Sequence, residues 1–122
     1  MKKIALFLLL TLMGCNEKVL YQGDSGKTLT LAVGQEFSIK LPENPSTGYR
    51  WEIQTNPQSQ MVVANVSDQY APSKSNLIGA GGERTFRYQA TNNGQVELYG
   101  FHKRSWESGD LKPSFKFVII VR

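Results

Sequence analysis

The chain has 122 residues, 40% hydrophobic and 20% charged, with a formal net charge of +4. That length suits one domain around a single core and is too short for two. A single histidine and a single cysteine exclude a multi-histidine metal site and an internal disulfide.

The first residues stand apart from the rest. Lys2 and Lys3 precede an apolar run from Ile4 to Met13, too short to span a bilayer as a helix but the right length for the core of an export signal. The run ends in Leu12-Met13-Gly14-Cys15, which resembles the lipobox of bacterial lipoproteins. The resemblance implies a signal peptide over residues 1–14, cleavage before Cys15, and acylation of that cysteine. Asn16, in place of an aspartate after the cysteine, points to the outer membrane. Loss of residues 1–14 leaves 12 basic against 10 acidic side chains, a net charge of +2. Such a small excess on an exported chain speaks against nucleic acid as a partner. Residues 15–27, polar and containing glycine, are expected to form a lipidated N-terminus and tether.

From residue 28 onward the pattern alternates with a period of two, as half-buried strands require. Leu29, Leu31 and Val33 share one face of a first strand, and Phe37, Ile39 and Leu41 follow after a Gly34-Gln35 turn. Tyr49, Trp51 and Ile53 mark a third strand, Val62, Ala64 and Val66 a fourth, and Phe86, Tyr88 and Ala90 a fifth. Asn92-Asn93-Gly94 is a tight-turn signal before Val96, Leu98 and Gly100, and Phe115 to Val121 is apolar on nearly every residue, as a central strand can be. No window carries a helical stripe. The expected fold of residues 28–122 is all-β, an immunoglobulin-like antiparallel sandwich of seven to eight strands with Trp51 in its core.

Alternating strand directions put three short connections at one end and three longer ones at the other: Pro42 to Gly48, Asp68 to Gly82, and His102 to Ser114. Long loops gathered at one end of a rigid sandwich form a binding surface. The first contains Asn44-Pro45-Ser46-Thr47-Gly48-Tyr49. Proline and glycine there stop any strand or helix and hold Ser46 and Thr47 out as a stiff exposed turn. The second ends in Leu77-Ile78-Gly79-Ala80-Gly81-Gly82, and the third carries Arg104-Ser105-Trp106.

In order and spacing these three loops resemble those of the chagasin-type inhibitors of papain-like cysteine proteases. That family has an Asn-Pro-Thr-Thr-Gly-Tyr loop, a glycine-rich loop, and an Arg-Pro-Trp loop. The resemblance implies a monomeric, reversible, non-covalent inhibitor whose loops fill a protease cleft, with Thr47 nearest the nucleophile. Gly79 to Gly82 would lie on one flank of the groove, and Arg104 and Trp106 on the other. Ser46 replaces a threonine and keeps its hydroxyl. Ser105 replaces a proline, which loosens the third loop by about 0.4–1 kcal/mol of preorganisation.

Enzyme chemistry has little to stand on. The only thiol is assigned to the lipid and His102 has no sister histidine, so neither a Cys–His pair nor a metal site follows. Gly79 to Gly82 precede a strand, with no helix N-terminus to hold a phosphate. No cofactor is expected, and the scattered carboxylates read as surface solvation. The alternative is an envelope lipoprotein that binds another hydrolase, such as lysozyme, or another envelope component. A lysozyme blocker would present acid to a basic cleft, whereas this end offers Lys103 and Arg104 with Ser46 and Thr47, although Glu43, Glu83 and Glu107 lie nearby.

Overall fold

The computed structural model describes residues 18–55, 61–73, 81–104, 106 and 112–122. Among them are eight strands: β1 (Lys18–Tyr21), β2 (Thr28–Leu31), β3 (Glu36–Glu43), β4 (Tyr49–Thr55), β5 (Val63–Ala71), β6 (Gly82–Ala90), β7 (Gly94–Arg104) and β8 (Phe115–Val121). They form two four-stranded sheets, in the orders β1-β3-β6-β5 and β2-β8-β7-β4. The alternating residues read from the sequence face each other between the sheets. Phe37, Ile39 and Leu41 of one sheet and Leu98, Phe117 and Ile119 of the other are fully buried. Trp51 is buried as expected. Gly100 is required by packing, because a Cβ there would overlap the Phe115 ring.

The sandwich is not purely antiparallel. β1 pairs with β3 in parallel, and so does β2 with β8. Successive strands do alternate in direction, so neighbours of opposite parity in the chain run antiparallel. The two edge pairings join strands of equal parity (first with third, second with eighth) and must be parallel.

Three further expectations are corrected. Residues 18–21, taken as tether, form β1, whose Leu20 is buried against the core; one inward side chain in four residues is too short a pattern to read. The chain then turns through a bonded corner rather than a free linker. Asp24 accepts from the Tyr21 N–H at 2.9 Å and from Lys27 Nζ at 2.8 Å, and these bonds, the lysine's foremost, hold its carboxyl below the usual range. Val33 lies beyond β2 in the turn and is exposed. Around the start of β5, Val62 and Val63 are buried while Ala64 and Val66 face out, and a bulge between Asn65 and Ser67 breaks the register at Val66.

β3 and β6 meet at Glu43 opposite Gly82, and β4 and β7 at Tyr49 opposite Arg104. The three long connections therefore do leave from one pole. All three are shorter than the sequence suggested, because β3 continues to Glu43, β5 to Ala71 and β7 to Arg104.

Candidate functional site

The first loop is a single capped turn. Asn44 precedes one 3-10 turn over Pro45–Thr47, and its side-chain oxygen accepts from Ser46 N–H at 3.1 Å and Ser46 Oγ at 2.6 Å. The Asn44 carbonyl accepts from Thr47 N–H at 3.1 Å and Thr47 Oγ1 at 2.8 Å. Gly48 closes the turn at φ 83°, a backbone that side chains disfavour. Ser46 and Thr47 are exposed, as expected. Their hydroxyls, however, turn inward to hold the loop's own shape.

Beneath the turn sits a buried carboxylate. Glu43 continues the inward row of Phe37, Ile39 and Leu41, and is only 3% exposed. Its Oε2 accepts from Arg84 Nε at 2.9 Å and Nη2 at 2.7 Å, and its Oε1 from the Trp51 N–H at 3.3 Å. Arg84 reaches Asp68 with Nη1 at 2.7 Å and lies over the Tyr70 ring at 5.7 Å. The hydrogen bonds from Glu43 foremost, then from Asp68, raise the Arg84 pKa above its ordinary value. A buried carboxylate is tolerable only with such partners, and these tie β3, β4, β5 and β6 together at the foot of the first two loops.

A stack of rings rises from the core toward the third loop. Trp51 lies 5.6 Å from Phe115 and 4.6 Å from His102, and His102 lies 4.9 Å from Tyr49, centroid to centroid. The Arg104 guanidinium then covers Tyr49 at 4.5 Å and faces Trp106 at 5.6 Å. Trp106 rests on the first loop: a Cβ at Gly48 would come within 3.2 Å of its ring. It is still 68% exposed. Trp51 Nε1 donates to the Pro42 carbonyl at 2.7 Å, closing the stack across to the other sheet.

The second loop returns against the first. A Cβ at Gly81 would lie 3.1 Å from the Glu43 carbonyl oxygen and 3.2 Å from Asn44 Cβ, and one at Gly82 would overlap the Ala71 carbonyl. Glycine here allows the chain's own backbones to meet. A cleft of about 670 Å³ opens between the loops, with Asn44, Thr47, Tyr49, Gly81 and Arg104 among its walls.

The structure thus gathers Asn44, Pro45, Ser46, Thr47, Gly48, Tyr49, Gly81, Gly82, Arg104 and Trp106 at one pole. Leu77, Ile78, Gly79, Ala80 and Ser105 lie outside the described residues, as does Cys15. Sequence reading placed Glu43 near the loops but missed its burial and its pairing with Arg84, itself bonded to Asp68, and gave His102 no partner among the rings. Extending the alternation by one step in β3 and β6 would have placed Glu43 and Arg84 facing inward. The arrangement offers shape, stacked rings and the Arg104 guanidinium over Tyr49. His102 is held between the Tyr49 and Trp51 rings.

Comparison with known proteins agrees. Residues 30–121 match the family described as chagasin family peptidase inhibitor I42. Chagasin of Trypanosoma cruzi is 32% identical over 100 residues, covering 80% of this chain and 90% of that one. Amoebiasin-1 of Entamoeba histolytica is 30% identical over 87 residues, covering 71% and 82%. The fold also resembles the crystal structure of a cysteine protease inhibitor from Entamoeba histolytica, with a TM-score of 0.74 and 22% identity over 87% of this chain and 96% of that one. The chain belongs to the chagasin family, whose members are peptidase inhibitors and not enzymes.

Proposed function

We propose that this protein is a reversible, non-covalent inhibitor of papain-like cysteine proteases that seats its three-loop pole in the catalytic cleft. The observation that carries the reading is the contact of Trp106 with Gly48 beside that of Gly81 with Asn44, which joins the three loops into one preformed surface. A loop whose hydrogen bonds are already made loses little entropy on binding, so more of its contact energy appears as affinity. Thr47 and its neighbours would approach the nucleophile, the glycine-rich loop one flank of the groove, and Arg104 and Trp106 the other. A capped turn offers no extended peptide bond for attack, so the inhibitor stays intact. Acylation of Cys15 would hold the protein on the outer membrane, facing the periplasm or the surface; the support for this is the Leu12-Met13-Gly14-Cys15 sequence.

The test is a titration of a soluble form starting at Asn16 against papain and, as a control, lysozyme. Tight inhibition of papain alone, with the inhibitor recovered uncleaved after long incubation, is the expected result. No inhibition of any papain-like enzyme at micromolar concentration would reject the proposal.

A further inference from the structure

The pole opposite the loops has its own character. β1 runs parallel to β3 from Lys18, paired with Phe37, toward the loops, so the chain enters the fold at that far pole. Of the large apolar side chains exposed among the described residues, Val33 at 54% and Met61 at 74% both stand there. They flank one corner: the Gly34 N–H donates to the Ala90 carbonyl at 2.8 Å, and Thr91 Oγ1 to the Met61 carbonyl at 2.7 Å. Arg122 is beside them, its N–H bonded to the Leu31 carbonyl at 2.9 Å. Of the neighbouring carboxylates, Glu36 lies 3.8 Å from Arg87, and Glu17 precedes Lys18 in the chain. Two cations and two uncovered apolar groups therefore share the pole where the N-terminal segment joins.

Only three residues' length separates Cys15 from Lys18, a reach of about 10 Å at full extension. That distance is comparable to the range over which charges act in physiological salt. We infer that this pole is a lipid-facing surface: with Cys15 acylated, Lys18 and Arg122 meet anionic headgroups while Val33 and Met61 rest at the interface. The eight residues of β3, at about 3.3 Å each, then carry the inhibitory loops about 26 Å or more from the bilayer. The membrane would hold the inhibitor upright, its binding pole free for a protease in the aqueous phase. This rests on the acylated anchor proposed above.

The experiment uses the acylated full chain, extracted from membranes of an expressing bacterium and placed in vesicles of phosphatidylcholine and phosphatidylglycerol. Val33→Cys, Met61→Cys and Ser46→Cys variants each carry a fluorophore, and nitroxide-headgroup lipids quench it. Quenching at 33 and 61 is expected to exceed that at 46 by about threefold or more, and Lys18→Glu with Arg122→Glu is expected to reduce the contrast. Equal quenching at all three sites, or papain inhibition lost on vesicles but present in detergent, overturns the inference. A free Cys15 by mass spectrometry overturns it together with the anchor. Absence of papain inhibition in detergent as well, with the quenching contrast intact, rejects the inhibitor reading and leaves the orientation supported.

Discussion

Gly48 and Trp106 show how little separates a turn from a binding surface. Gly48→Ala would strain a backbone at φ 83° and push a Cβ to 3.2 Å from the Trp106 ring. Papain inhibition should fall about tenfold or more, read as an inhibition constant, while circular dichroism shows the sandwich intact. Trp106→Ala should weaken inhibition by about 2 kcal/mol, roughly thirtyfold, and leave the melting temperature nearly unchanged, since the side chain is mostly exposed. A matching fall in melting temperature would reassign Trp106 to the core. Ser46 is explained by its bond to Asn44: the turn uses the hydroxyl, which serine and threonine share. Glu43 behaves oppositely. Glu43→Ala should cost about 3 kcal/mol in urea unfolding, because Arg84 loses its main partner in a half-buried site. Its role was hidden in the sequence because Glu43 and Arg84 are 41 residues apart, and only the β3–β6 register brings them together.

Strands were legible where the pattern was long. Three or more alternating apolar residues located β3, β4, β6 and β7, and a strand apolar at every residue but Lys116 identified β8 as central. β1 offered one inward residue, and β5 opens on two consecutive buried valines, Val62 and Val63, before a bulge between Asn65 and Ser67, so neither could be read from periodicity. β1 is nonetheless part of the domain. Leu20→Ala should destabilise it by about 2–3 kcal/mol in denaturant unfolding; an unchanged midpoint would return residues 18–21 to the status of a tether. Of the loops, the turn chemistry of residues 44–48 was readable locally. The contacts of Trp106 with Gly48 and of Gly81 with Asn44 were not, because they depend on how two sheets stack.

For the molecule as a whole, acid should lower stability modestly. Glu52, bonded by Lys103 foremost and then by Gln54, and Glu97, bonded by Tyr99 foremost, both have carboxyl pKa values below their ordinary 4.5. Groups with depressed folded values add stability that is complete above the unfolded pKa and is lost as pH falls through the folded one. Urea midpoints should therefore be flat from neutral pH down to about pH 5 and decline below it, and Glu52→Gln should make the decline shallower. An unchanged slope would mean that solvent and salt already screen the pair.

The parallel seam between β2 and β8 also sets the order of assembly. Thr28 pairs with Val118, 90 residues further along the chain, and β8 is also the partner of β7. No early segment can complete that sheet alone, so closure must wait for the last strand, and contacts this distant in sequence fold on the slow side, in milliseconds to seconds. A chain ending at Ser114 should stay unfolded, and a synthetic Phe115–Arg122 peptide added in excess should restore the sheet. The second sheet stays open until β8 takes its place between β2 and β7.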